Sequence, residues 1–138
     1  MTTVLKSRKH LEQCGIKPSL QRMAVMEYLM THCTHPTADM IFSDLSSSIP
    51  TLSKTTVYNT VKLLAEQGAI LAIHIDEKNL RYDGDISKHA HFRCKNCGCI
   101  YDMPILNLKV RHCEKNTENF DITEAQLYYK GLCKKCKK

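Results

Sequence analysis

The sequence predicts an α+β protein: an N-terminal winged helix-turn-helix, then a small α/β domain built around a four-cysteine zinc site. Three observations predict it. Apolar residues recur at helical spacing as far as Gly68. Two short strand-like runs then flank the turn residues Asp76-Glu77-Lys78-Asn79. Finally, two Cys-x-x-Cys knuckles, Cys94-Lys95-Asn96-Cys97 and Cys133-Lys134-Lys135-Cys136, have the spacing that one tetrahedral zinc ion requires.

Residues 2–14 read as a first helix, with Val4, Leu5 and Leu11 only partly periodic and Gly15 as its stop. Pro18-Ser19 opens a second, carrying Ala24, Val25, Tyr28 and Leu29. His35-Pro36 interrupts the pattern, because the residue before proline is pushed out of the helical region. Thr37 caps a third helix with Ile41 and Leu45 on its inner face. After the polar loop Ser46-Ser47-Ser48 and Pro50, Ser53 caps a fourth, with Val57, Val61, Leu64 and Ala65 as its apolar stripe. Residues 70–75 and 80–83 form the hairpin, and 84–88 the linker. Beyond it, residues 89–93 and 99–102 read as short strands, 104–112 as a helix and 122–130 as a strand that delivers the second knuckle. The expected domains are therefore 1–83, a hinge at 84–88, and 89–138.

Composition bounds the function classes. Hydrophobic residues make up 43% and charged residues 25% of 138, as in an ordinary globular protein. No apolar run is long enough to span a bilayer and no export signal is evident, so no membrane association and a cytoplasmic location are expected. Eight cysteines without an export signal favour metal ligation over a disulfide framework. The net charge of +6 permits nucleic-acid binding without establishing it. Most of the excess lies after residue 84, with Lys134, Lys135, Lys137 and Lys138. Residues 1–22 are also locally basic, with Lys6, Arg8, Lys9, Lys17 and Arg22 against Glu12 alone.

The fourth helix carries the candidate DNA-reading face. Opposite its apolar stripe stand Lys54, Thr55, Thr56, Tyr58, Asn59 and Lys62, side chains that suit phosphates, base edges and thymine methyls in a major groove. Lys17 and Arg22 are placed to touch the backbone or minor groove. An ordinary amphipathic surface helix would share the period. The preceding helix, the short loop and the following hairpin favour the DNA reading.

Two metal sites are expected. Cys94, Cys97, Cys133 and Cys136 suit a closed structural zinc site, which lacks the open coordination position that hydrolysis needs. A redox Cys-x-x-Cys is the rival, but that motif usually opens a helix after a strand. His89 and His91 alternate on a strand and so face one side, with Asp83 and Asp102 near in sequence as oxygen donors. Such a mixed set fits iron(II), manganese(II) or zinc. No general base is evident beside it, so an enzyme is not expected. A zinc-ribbon adaptor that binds protein instead of DNA is the remaining class. The spare thiols Cys14, Cys33, Cys99 and Cys113 are expected as buried small hydrophobes.

Taken together, His35-Pro36-Thr37-Ala38, Thr56-Val57-Tyr58-Asn59-Thr60, His89-Ala90-His91-Phe92-Arg93-Cys94-Lys95-Asn96-Cys97-Gly98 and Cys133-Lys134-Lys135-Cys136 resemble the ferric uptake regulator (Fur) family of bacterial metal-responsive repressors. The resemblance covers nearly the whole chain. It implies a winged-helix domain, a hinge, a C-terminal dimerisation domain, and a homodimer that binds AT-rich inverted repeats in promoters when a regulatory metal is present. Within the family the chain most resembles the peroxide-stress branch, whose regulatory ligands fall on His35, Asp83, His89, His91 and Asp102. It is the resemblance, not the spacing, that brings in His35. The iron-sensing branch more often has glutamate where Asp83 and Asp102 stand. A second site in other branches uses a histidine where this chain reads Thr123-Glu124-Ala125. The resemblance therefore implies structural Zn2+, regulatory Fe2+ or Mn2+, and release by hydrogen peroxide through oxidation of His35 or His89. A repressor of iron or zinc uptake on the same fold is the alternative.

Overall fold

Four helix caps organise the N-terminal half of the computed structural model, which describes residues 2–87, 89–105 and 119–138. Helix α1 (Thr3–Gln13) starts where the Thr2 hydroxyl accepts the Leu5 N–H, and α2 (Leu20–Thr31) where Ser19 accepts that of Arg22. Thr37 caps α3 (Ala38–Ser46) through the Met40 N–H, and Ser53 caps α4 (Lys54–Glu66) through that of Thr56. Gly15 and Gly68 follow α1 and α4 at φ +74° and +77°, the left-handed conformation that glycine adopts without strain. The chain divides into two compact units, Met1–Ser87 and Lys88–Lys138.

In the first unit the apolar faces of all four helices meet. Leu11, Val25, Met26, Ile41, Val57, Val61 and Leu64 are fully buried, with Leu45 and Ala65 packed at the margin. Strands β1 (Leu71–Ile73) and β2 (Arg81–Asp83) form an antiparallel hairpin with Leu71 opposite Asp83 and Ile73 opposite Arg81. The sequence pattern suggests a longer first strand. Its apolar run stays buried at Ile70 and Ile75, but the ladder ends with its three-residue partner. Asp76 then turns the chain: its carboxylate accepts the Lys78 N–H at 2.9 Å and the Arg81 guanidinium at 3.2 Å. Those bonds hold the Asp76 carboxyl below its usual range, the Lys78 N–H foremost.

Leu64 reports on this core. A Leu64→Ala change leaves a cavity at a fully buried site, costing about 3 kcal/mol and lowering the melting temperature of the first unit by about 12 °C or more. A Lys62→Ala control on the exposed face should melt within a degree or two of the parent, about 0.5 kcal/mol at most.

The second unit is a three-stranded sheet in the order β4-β3-β5. Strand β3 (Ala90–Cys94) lies antiparallel to β4 (Ile100–Met103) and parallel to β5 (Tyr128–Gly131). The strand expected over residues 122–130 is thus confined to its end. His91 pairs with Tyr128 and its N–H donates to the Leu127 carbonyl at 3.2 Å, but β3 begins at Ala90, so residues 122–126 have no strand to pair with. The helix expected over 104–112 lies, apart from Pro104 and Ile105, outside the described residues. Among the described residues no helix is long and apolar enough to cross a membrane.

Candidate metal centres and nucleic-acid face

The sheet brings the two knuckles together. Because β3 and β5 are parallel, with Cys94 opposite Gly131, both strands run out at the same end and each leads into a Cys-x-x-Cys turn. The Lys95 N–H donates to the Gly131 carbonyl at 2.7 Å and ties the turns to each other. Gly98, at φ +77°, donates its N–H to the Cys94 carbonyl and closes the first knuckle. The Sγ atoms of Cys94, Cys97, Cys133 and Cys136 all lie within 4.8 Å of one another, and Cys97 Sγ is 3.8 Å from Cys133 Sγ. A tetrahedron with Zn–S bonds of about 2.3 Å has edges of about 3.8 Å, so the residues fit zinc.

Electrostatics point the same way. The backbone N–H groups of Cys97 and Cys133 aim at Cys94 Sγ at 3.5 and 3.4 Å. They hold its thiol down at about 6, the Cys97 N–H foremost. Cys97 carries a backbone bond from Cys99 that lowers its thiol, yet the hydrogen bond to Cys94 and burial push it up to about 12. Four crowded thiols cannot all ionise unless a cation joins them. Two outer groups escaped the sequence reading. Asn96 Nδ2 donates to Cys136 Sγ at 3.3 Å, and the Tyr101 hydroxyl bonds Cys133, which raises the phenol's pKa. Asn96 could have been found from its place inside the knuckle. Tyr101 could be found only through the β3–β4 register, which sets it opposite Phe92.

Each unit also holds an imidazole–carboxylate group of its own. In the second unit, His91 and Asp102 are register partners on β3 and β4. His89 Nε2 and His91 Nε2 lie 2.9 Å apart, and Asp102 Oδ1 lies 3.1 and 3.4 Å from them. Two imidazole nitrogens and a carboxylate oxygen converge on one point. In the first unit, His35 Nε2 lies 3.4 Å from Asp83 Oδ2, with only 1% and 3% of the two side chains exposed. A carboxylate so buried needs a positive or donating partner. The backbone is shaped to supply it. The Tyr82 N–H donates to the Pro36 carbonyl at 3.0 Å, and the Arg81 guanidinium to the His35 carbonyl at 3.3 Å. These bonds dock the 35–36 loop onto β2. His35 itself stands at φ +53°, an uncommon conformation for a residue with a side chain. Gly84 lets the chain leave β2 past α2: a Cβ there would sit 2.6 Å from the Leu29 carbonyl oxygen. The donor chemistry of both halves, imidazole plus carboxylate, suits iron(II), manganese(II) or zinc.

The outward face of α4 carries the expected DNA-facing residues. Lys54, Thr55, Tyr58, Asn59 and Lys62 are exposed. Thr56 is half-buried, its hydroxyl 2.9 Å from the capping Ser53 hydroxyl, so it is occupied at the helix start. Lys17 is exposed, while Arg22 is half-buried and donates to the Lys17 carbonyl at 2.8 Å. These two, with Ser19, Thr56 and Asn59, line a cleft of about 420 Å³ between the start of α2 and α4. Asp39, on the first turn of α3, was not evident from sequence. Its carboxylate accepts the Tyr58 hydroxyl at 3.1 Å and lies 3.8 Å from Lys54 Nζ. The Tyr58 phenol is raised as a result, the Asp39 hydrogen bond being the largest cause.

The spare thiols depart from expectation. Cys14 is half-buried against the helical core, but Cys33 and Cys99, both in irregular segments, are exposed. Cys113 lies outside the described residues.

A model of the ferric uptake regulator family matches residues 13–130. The peroxide-responsive repressor PerR of Staphylococcus aureus (strain Mu50 / ATCC 700699) is 34% identical over 128 residues, covering 91% of this chain and 86% of that protein. Among solved structures, the Campylobacter jejuni peroxide stress regulator aligns with TM-score 0.68 and 25% identity, covering 99% of this chain and 100% of that one. The Helicobacter pylori ferric uptake regulator, described as having three functional metal binding sites, aligns with TM-score 0.69 and 22% identity, over 99% and 94%.

Proposed function

Because the chain belongs to the ferric uptake regulator family of transcriptional regulators, we propose that it is a metal-dependent repressor that grips promoter DNA as a homodimer and lets go in response to hydrogen peroxide. The observation that carries this is the split donor set, an imidazole–carboxylate pair in each unit. On this reading residues 1–83 bind DNA, 84–88 are the hinge, and 89–138 dimerise. Cys94, Cys97, Cys133 and Cys136 hold a structural zinc. His35, Asp83, His89, His91 and Asp102 hold iron(II) or manganese(II) jointly.

The work of these residues is conformational. With His35 and Asp83 drawn to the same ion as His89, His91 and Asp102, the hinge loses freedom and one arrangement of the reading helices is favoured. Metal and DNA then bind cooperatively, each favouring the arrangement the other needs. Lys17, Arg22, Lys54 and Lys62 supply salt-dependent phosphate contacts, and Thr55, Thr56, Tyr58 and Asn59 face the bases. An AT-rich inverted repeat matches the two-fold symmetry of a dimer. Phe120, Ile122 and Leu132, exposed by 69%, 65% and 52%, are apolar surface in the second unit that a second copy would cover. A closed four-thiolate site offers no open coordination position, which fits a regulator rather than an enzyme.

Iron(II) held by these residues would activate hydrogen peroxide beside the ligating imidazoles: one peroxide oxygen would pass to a ring carbon of His35 or His89, a two-electron oxidation of the ring, and the other would leave as water. An imidazole so oxidised is a poor donor, so the two donor groups would part and repression would end. The likeness to the staphylococcal peroxide-responsive repressor supports this arm. Iron-loaded protein treated with peroxide should gain one oxygen atom on a peptide containing His35 or His89 and lose DNA binding. Manganese-loaded protein should do neither. Loss of binding with both histidines intact overturns the oxidation arm. A repressor of iron or zinc uptake would respond to chelation and ignore peroxide. The reading as a whole is tested by gel shift at stated salt with and without manganese.

A further inference from the structure

Tyr58 and Lys54 on the outward face of α4 share one acceptor, the Asp39 carboxylate on the first turn of α3. We infer that Asp39 is a positioning residue for sequence discrimination: by accepting the Tyr58 hydroxyl proton it fixes which way that phenol hydrogen-bonds to DNA. The inference rests on the DNA-binding reading above and deepens it.

The argument is one of donor and acceptor count. A phenol has one proton to give and lone pairs to receive with. Here the proton is committed to Asp39 at 3.1 Å. What Tyr58 presents outward is its ring and an acceptor oxygen. An acceptor has no attraction for a phosphate, which also only accepts. It suits the exposed amino groups of adenine and cytosine in the major groove, while the ring suits the thymine methyl. A free phenol would instead rotate and donate to whichever phosphate came nearest, giving affinity without sequence preference. Lys54 Nζ lies 3.8 Å from the same carboxylate, an exposed pair weak enough to leave the ammonium free to meet a phosphate.

The carboxylate also has a cost that makes the role visible. Asp39 keeps 56% of its side chain exposed on the surface that would face a polyanion. A negative charge there repels phosphate and weakens binding to every sequence. Asp39 is therefore expected to trade general affinity for discrimination.

Three single variants of the full chain, and the Asp39→Ala/Tyr58→Phe double variant, separate charge from polarity. Each is loaded with zinc and manganese and bound to a randomised duplex library, with retained sequences counted at two salt concentrations. Asp39→Asn keeps an acceptor oxygen but removes the charge. It should bind all sequences more tightly and keep the parent's base preferences. Asp39→Ala removes both. It should bind all sequences more tightly and lose about fivefold or more of the preference at the base pair Tyr58 faces. Tyr58→Phe should lose that same preference, and the double change should lose no more than either alone. Both positions are exposed, and a thermal melt checks that folding is unaltered. If Asp39→Ala leaves the preference profile as in the parent, the inference fails while the DNA-binding reading stands. If the parent retains no DNA under any metal loading, the DNA-binding reading itself falls.

Discussion

Replacing Cys94 with alanine is expected to strip the chain of zinc and unfold residues 89–138. Cys94 is fully buried at the end of β3, and its sulfur receives two backbone N–H groups, one from each knuckle. The hydrophobic residues buried in this unit are, among those described, Ala90, Cys94 and Cys133. So small a core cannot stabilise a domain by apolar burial, and a metal staple must supply the difference. Structural zinc contributes about 10–16 kcal/mol at neutral pH, more than such a domain has in reserve. Zinc analysis should fall from one ion per chain to none. Amide protection should vanish across 89–138, and the chain should sediment as a monomer. The first unit has its own buried core and should melt as before. Cys99→Ala, which alters a thiol outside the clustered four, should leave zinc content unchanged. A Cys94→Ala protein that keeps its zinc and its dimer would remove the metal-staple account.

What could be read from the sequence follows the range of the interactions. Helix caps are local, so Thr37 and Ser53 could be recognised from their own neighbours, and both hold the expected N–H. The knuckles are local too. Which residues belong to each thiolate pair needs only the spacing, and only their meeting needs the β3–β5 register. Strand lengths are set by partners elsewhere in the chain. The segments 70–75 and 122–130 read as strands throughout, yet pairing covers only 71–73 of the first and begins at Tyr128 in the second. Exposure is likewise a tertiary property, which is why Cys33 and Cys99 read as buried and are not. His35 and Asp83 are far apart in sequence. Their pairing depends on a loop-to-strand bond, Tyr82 to Pro36, that no periodicity announces. Asp39 is not legible as a partner of Tyr58, because an acidic residue in a first helical turn already has a local explanation in the helix dipole.

The other large effect is expected at the proposed regulatory donors, where His91→Ala should abolish the response of DNA binding to metal while leaving zinc in place. His91 is buried, and its Nε2 lies 2.9 Å from His89 Nε2 and 3.4 Å from Asp102 Oδ1, so its loss removes one of the three donors that converge in this unit. It stands on β3 three residues before Cys94, so the zinc cluster keeps all four thiolates. The size of the effect is bounded by the coupling between the two ligands. Such couplings are typically about 5- to 150-fold, and the variant should lose that whole factor. Linkage adds a stricter requirement. If manganese tightens DNA binding by some factor in the parent, DNA must tighten manganese binding by the same factor. Asp83→Asn, in the other half, should reduce both factors together, since it removes a buried charge 3.4 Å from His35 without touching β3. Each factor can be measured separately, one by titrating DNA at fixed manganese and the other by titrating manganese at fixed DNA. A His91→Ala protein whose DNA affinity still rises with manganese as the parent's does would mean the metal acts elsewhere. A parent in which DNA leaves manganese affinity unchanged would mean that no ion links the donor halves to the DNA-bound shape.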